Sequence, residues 1–250
     1  MNWENGQIKK LIKMKDLSLC ILFWNEEKNI KNVVDELTEV FLKNKVDFEI
    51  VTVDNGSTDG TLNLLKKLKK NNKHIKIVSV KHNKGYGFGV IVGLQNCNGK
   101  FIGFSDGDNQ ISAQDVFRVY QKISTDNSID LCKAKRISRK DKFIRMVISK
   151  VYNNFFRILF KVNVKDINAC PKIMKLEVYQ EVVLTSKDWF IDAEIIIKLN
   201  DLDKKFFDVP IVFREREQGA SKVRFITIIE FLKNILDYKI NKSKWKKIQK

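Results

Sequence analysis

Between Leu17 and Cys132, short apolar runs rich in Val, Ile, Leu and Phe alternate with stretches whose apolar residues recur every three or four positions. Runs this short and this apolar read as strands covered on both faces, and the stretches between them supply the crossovers that parallel strands need. The pattern predicts strands over 17–23, 48–54, 75–80, 100–105 and 129–134, with helices near 26–45, 58–70, 87–96 and 113–124. The fold class that follows is α/β, a mostly parallel central sheet flanked by helices. Ligands of such sheets bind beyond the carboxyl ends of the strands. Asn25, Asp54 and Asp106, each at a predicted strand end, are therefore expected along one rim.

Past residue 135 the pattern changes. A basic polar stretch, 135–142, leads into a helix with a broad apolar face over 143–160. A hairpin or irregular segment around 164–174, a helix near 192–202 and a strand near 206–213 follow. The last element is the clearest helix: Phe225, Ile228, Ile229, Leu232, Ile235, Leu236 and Ile240 form one apolar stripe. Such an amphipathic helix either packs on its own domain or lies on a membrane surface. The tail beyond it carries six lysines among the last twelve residues, with Trp245.

The chain has 250 residues, 44% of them hydrophobic, enough for one sizeable core. With 47 Lys and Arg against 30 Asp and Glu, the formal charge is +17. A surface of that sign attracts nucleic acid, phospholipid headgroups or a phosphorylated substrate, or is simply solvated. No helix-turn-helix, zinc-finger or aromatic-sheet motif supports nucleic acid. Cys20, Cys97, Cys132 and Cys170 lack C-x-x-C spacing and read as reduced core residues. Residues 1–15 carry neither a secretory pattern nor an anchor, and no run reaches the roughly 20 apolar residues of a membrane span. The expected location is cytoplasmic, with any membrane contact peripheral.

Three segments carry chemistry. In Phe104-Ser105-Asp106-Gly107-Asp108-Asn109-Gln110, two carboxylates one residue apart follow a strand, where they can share a hard divalent cation, Mg²⁺ or Mn²⁺, and leave positions for diphosphate oxygens. An ordinary acidic turn has the same letters. In Val51 to Thr61, a β-branched strand ends on Asp54, placed to accept bonds from a base or ribose, while Ser57 or Thr58 can cap the next helix. In Asn83-Lys84-Gly85-Tyr86-Gly87-Phe88-Gly89-Val90-Ile91-Val92-Gly93, the glycines permit close backbone approach, to a ligand or to the sheet. This segment is neither G-x-G-x-x-G nor a P-loop, which counts against dinucleotide oxidoreductases and P-loop NTPases.

Together with Phe23-Trp24-Asn25-Glu26-Glu27, these segments stand in the order and spacing of family 2 glycosyltransferases with the GT-A fold, which the chain resembles from Leu17 to Lys222. Asp166 to Cys170, Phe190 to Glu194 and Gly219 to Lys222 look like the dolichyl-phosphate mannosyltransferase and polyprenyl-phosphate branch. The resemblance implies an N-terminal extension (1–16), a GT-A domain (17–222) and an amphipathic helix with a basic tail (223–250). Within the domain, 17–134 would be the nucleotide-sugar half and 135–222 the acceptor half. It further implies that Asn25, Glu26, Asp54, Lys84, Gly85, Asp106, Gln110 and Lys222 contact the nucleotide sugar. Asp106, Asp108 and Gln110 would surround the metal, and Arg136, Arg145 and Ser149 would hold an acceptor phosphate.

The chain departs from the family at Asn55, where a second Asp is usual, and at Ala169-Cys170-Pro171-Lys172, where a Gly-Phe-Arg-like turn is usual. It lacks the Gln-x-x-Arg-Trp motif of processive synthases, so a single transfer is expected. The implied reaction is inverting displacement at the anomeric carbon, with Asp108, Arg136, Arg145 and Asp192 as the catalytic set. A lipid phosphate, already anionic at neutral pH, needs positioning and no base; a hydroxyl acceptor needs one, and Asp192 is the candidate. Expected partners are a GDP- or UDP-sugar, a polyprenyl phosphate and an anionic membrane surface, and a separate membrane-anchoring subunit is compatible with the reading. A transferase acting on a glycan hydroxyl, and a non-catalytic basic module, are the competing classes.

Overall fold

The computed structural model describes residues 14–138, 143–214 and 225–241, and of residues 138, 143–150 and 225–232 the backbone alone. Its strands are β1 (Leu17–Phe23), β2 (Phe48–Asp54), β3 (Ile75–Ser79), β4 (Phe101–Asp106), β5 (Leu131–Ser138), β6 (Lys172–Lys175) and β7 (Phe206–Val212). The helices are α1 (Ile30–Lys43), α2 (Thr61–Asn71), α3 (Tyr86–Gln95), α4 (Ala113–Thr125), α5 (Phe143–Phe160), α6 (Leu176–Gln180), α7 (Ile191–Asn200) and α8 (Phe225–Ile240). One seven-stranded sheet has the order β3-β2-β1-β4-β6-β5-β7. Only β6 runs against its neighbours, antiparallel to both β4 and β5.

The centre of the sheet is apolar because both of its faces are covered. Every residue of β1 is buried, which is why that strand reads as a continuous apolar run without alternation. Helix α1 brings Ile30, Val33, Val34, Leu37 and Phe41 to one side and lies against α2 and α4. Each such side chain contributes about 1.5–3 kcal/mol on full burial. Helix α3 sits close to the sheet through glycine. A Cβ built on Gly93 would fall 2.0 Å from the Cys20 sulfur, so the glycine run does pack a helix on strands.

Three sequence expectations are corrected by local bonding. Helix α1 begins at Ile30 because residues 26–29 turn: the Asn29 amide donates to the Glu26 carbonyl, and the Glu26 amide to Thr61 Oγ1. Helix α2 begins at Thr61 because Ser57 and Thr58 serve the β1 loop instead of capping it. Ser57 Oγ accepts from the Asn25 amide and the Thr58 amide donates to Asn25 Oδ1. The stretch 135–138, expected as the start of a basic polar segment, extends β5 because β7 pairs alongside it.

In the second half, α5 and α8 meet through aromatic rings, Phe160 packing edge-on to Tyr238 at 5.9 Å. Ile235 and Tyr238 of α8 are buried while Leu236 and Ile240 face solvent. The end of the striped helix whose side chains are described, 233–240, therefore packs on its own domain and still presents an apolar edge.

Candidate active site

The parallel register places the expected rim. Phe23 at the end of β1 is level with Asp54 of β2, and Leu22 is level with Asp106 of β4, so the two carboxylates flank the mouth of the central strand. Asn25 follows in the left-handed region, at φ 53°, and uses its side chain to tie β1 to the turn after β2. Asp54 is buried: Oδ1 accepts from the Ser57 amide at 3.1 Å and Oδ2 from Ser79 Oγ at 3.1 Å. Glu26 is buried as well, its carboxylate accepting from Asn29 at 2.6 Å. Both side chains thus shape the loops at the carboxyl ends of β1 and β2.

Gly85 has φ 109°, and a Cβ there would lie 2.1 Å from the Lys187 carbonyl oxygen. Its own carbonyl accepts from Asn55 Nδ2 at 3.1 Å. That bond gives a reason for Asn55, because an aspartate would set a carboxylate against a carbonyl. Lys84 projects beside it, with its ammonium 5.2 Å from the Phe88 ring centre.

Asp106 ends β4, and the chain turns through Gly107, whose amide donates to the Leu22 carbonyl, and Asn109 at φ 63°. Asp108 Oδ1 accepts from the Gln110 amide at 3.2 Å. Gln110 points its Nε2 to the Arg214 carbonyl at 3.3 Å. Asp106 Oδ1 accepts from the Tyr86 hydroxyl at 3.1 Å. Withdrawal from water, and then the carboxylates of Asp108 and Asp192, push the Asp106 carboxyl up to about 7, against the pull of Tyr86 and Lys172. Negative charge crowded at a strand end is the setting that a hard divalent cation relieves. Among the described residues no three carboxylate, imidazole or thiolate groups converge.

Behind this pair lies a buried ionic layer. Lys172, fully buried, donates to the Asp192 carboxylate and to the Ala169 carbonyl. Burial, the largest single influence, would lower the lysine; Asp192, Cys170 and Asp166 together outweigh it and hold the ammonium above its ordinary value. Arg136 is similarly engaged, with Nε and Nη2 donating to the two oxygens of Asp166 at 2.7 and 2.6 Å. Arg136, expected to hold an acceptor phosphate, is fixed by Asp166 through Nε and Nη2, and its Nη1 makes neither of these bonds. Burial would raise Asp166, yet the hydrogen bonds and charge of Arg136 hold it at about 2.

The structure thus brings Asp106, Asp108 and Gln110 into one turn, and sets Asp192 close enough to influence Asp106. Lys222 lies outside the described residues; Arg145 and Ser149 lie on α5 where only the backbone is described. Sequence reasoning assigned no role to Tyr86, Trp189 or Lys172. The one available signal was Lys172 itself, a lysine beside the apolar pair Ile173 and Met174.

A mostly parallel seven-stranded sheet with an acidic turn after β4 defines a GT-A glycosyltransferase fold. The model of the family described as "Glycosyl transferase family 2" matches residues 18–183, more than half of the chain, and the chain belongs to that family. It is a glycosyltransferase. Over 224 residues it is 24% identical to the undecaprenyl-phosphate 4-deoxy-4-formamido-L-arabinose transferase of Pectobacterium atrosepticum, covering 89% of this chain and 67% of that one. Over 214 residues it is 25% identical to the dodecaprenyl-phosphate galacturonate synthase of Rhizobium johnstonii, covering 84% and 62%. The chain thus spans under two thirds of the second relative and about two thirds of the first. Among solved structures, glucosyl-3-phosphoglycerate synthase of Mycobacterium tuberculosis, in complex with Mn²⁺, UDP and phosphoglyceric acid, superposes with a TM-score of 0.71 at 16% identity. That match covers 91% of this chain and 78% of the other.

Proposed function

We propose that this glycosyltransferase moves one sugar, with inversion, from a GDP- or UDP-sugar to the phosphate of a polyprenyl phosphate at a membrane surface. Both relatives above are named for prenyl-phosphate acceptors. The observation that carries the reading is the bond between Lys172 and Asp192. Asp192 is the carboxylate expected to serve as base for a hydroxyl acceptor, and here it is buried and bound by an ammonium. A phosphate monoester, with its second pKa near roughly 6, is anionic at neutral pH and needs no base.

In this reaction Asp106 and Asp108 would hold Mg²⁺ or Mn²⁺ against the donor diphosphate. When bound, the cation would neutralise charge building on the departing nucleoside diphosphate. Asp54 and Asn25 would shape the nucleotide pocket, with Glu26, Lys84 and Gly85 along its wall. Arg136, oriented by Asp166, would present its remaining edge to the acceptor phosphate, joined by Arg145 and Ser149; a planar, pre-oriented guanidinium suits that task. Lys222 would approach the diphosphate.

No helix among the described residues is long and apolar enough to cross a membrane. Contact with the lipid would instead be peripheral, on the cytoplasmic face. Val151, Phe155 and Ile158 form an exposed apolar stripe on α5, and Leu236 and Ile240 a second on α8. The lysine-rich tail follows, where each cation near an anionic leaflet contributes ~1 kcal/mol.

The test is transfer of radiolabelled sugar from a panel of GDP- and UDP-sugars to polyprenyl phosphate, with Mn²⁺ or EDTA, by wild type and Asp108→Asn. Metal-dependent lipid product that disappears in the variant is the expected result. Nucleotide-sugar hydrolysis with no lipid product would move the search to hydroxyl acceptors.

A further inference from the structure

Tyr86 opens α3 directly after the glycine turn and is the residue through which that turn reaches the acidic pair. Its hydroxyl donates to Asp106 Oδ1 at 3.1 Å. Its ring lies nearly parallel to the indole of Trp189, with centres 4.4 Å apart and planes 13° from each other.

The segment that carries Trp189 is held from several sides. The buried carboxylate of Glu194 accepts from the amides of Thr185 and Ser186 and from Thr185 Oγ1. The Lys187 carbonyl accepts from the Phe88 amide at 3.1 Å. Asp188 accepts from the Phe190 amide through Oδ1 and from Asn234 of α8 through Oδ2. A segment bonded to α3, α7 and α8 thus sets the plane on which Tyr86 rests.

An aspartate side chain ends in a broad, soft torsion, so a strand-end carboxylate left alone samples many orientations. A donor fixed to one of its oxygens selects among them. We infer that Tyr86, braced by Trp189, is a positioning residue for the transfer reaction: it aims the Asp106 carboxylate so that the pair with Asp108 meets the cation in one geometry. The inference rests on Asp106 and Asp108 being the cation-holding pair. Partners that orient metal ligands in this way change metal affinity by roughly 10–100-fold when removed.

The test is direct Mn²⁺ titration of the full chain, followed by the electron paramagnetic resonance signal of free Mn²⁺, alone and with UDP or GDP, beside thermal unfolding of each variant. Tyr86→Phe removes the hydroxyl and keeps the stacked ring. It should weaken Mn²⁺ binding about tenfold in protein that thermal unfolding shows to be fully folded at the titration temperature. Trp189→Ala should weaken binding with the hydroxyl still in place, and Trp189→Phe should restore most of it. Wild-type affinity in Tyr86→Phe, with binding abolished in Asp108→Asn, would overturn the positioning role and leave the acidic pair intact. Absence of Mn²⁺ binding by the wild type with either nucleotide would overturn the pair, and the role with it.

Discussion

Lys172 at the start of β6 and Asp192 in the first turn of α7 form a buried ion pair directly behind the acidic turn of β4. Lys172 also lies over the Phe104 ring, 5.4 Å from its centre, so its charge is enclosed by β4 as well. Removing one partner of such a pair strands the other charge out of water. Asp192→Asn should therefore lower the unfolding free energy by about 3–5 kcal/mol, measured by urea denaturation. Combining it with Lys172→Met should recover much of that loss, because neither position then carries a stranded charge.

The pair of Arg136 and Asp166 sets an acid limit on stability. The folded value of Asp166, about 2, lies below its ordinary 3.8. Its contribution is therefore complete above about pH 5 and is lost as pH falls through 4 toward 2. A shift of this size corresponds to about 2 kcal/mol. Unfolding measured across that window should show the slope in wild type and a shallower one in Asp166→Asn.

Asn55 donates its amide to the Gly85 carbonyl and so fastens the end of β2 to the glycine turn. Asn55→Asp, which supplies the residue more usual in the family, should destabilise the chain by about 1–3 kcal/mol, because the donor is lost and two acceptors face each other. Thermal unfolding at neutral pH, where the aspartate is ionised, reads this directly.

The apolar stripe of α5 should act on lipid and leave folding nearly untouched. Phe155 and Ile158 are exposed, at 45% and 79%. Replacing both with Asp should therefore change stability within about 0.5 kcal/mol for each site. The same pair of changes should sharply reduce co-sedimentation with vesicles containing anionic lipid, and raising salt should weaken what binding remains.

Much of the first half was legible because β1, β2 and β4 are covered on both faces, so that burial appears in the letters themselves. Their carboxyl ends could then be expected along one rim, because the strands of a parallel sheet all point the same way. Helix starts were less legible. Ser57 and Thr58 look like caps, yet they bond across to Asn25, a partner 32 or 33 residues away that no local pattern contains. Strand β6 escaped because four residues with lysine at each end do not read as a buried strand until Asp192 supplies the counter-charge. The same distance effect hid Tyr86 and Trp189, whose contact joins the first half of the chain to the second.

In the proposed reaction a phosphate, and not a hydroxyl, receives the sugar. The most direct measurement compares polyprenyl phosphate with the polyprenol of the same chain length, in the same vesicles, with the donor found active in the panel. The expected result is transfer to the phosphate, with none to the alcohol above background. Equal or faster transfer to the alcohol would contradict the claim and would require a working base where Asp192 is now bound to Lys172.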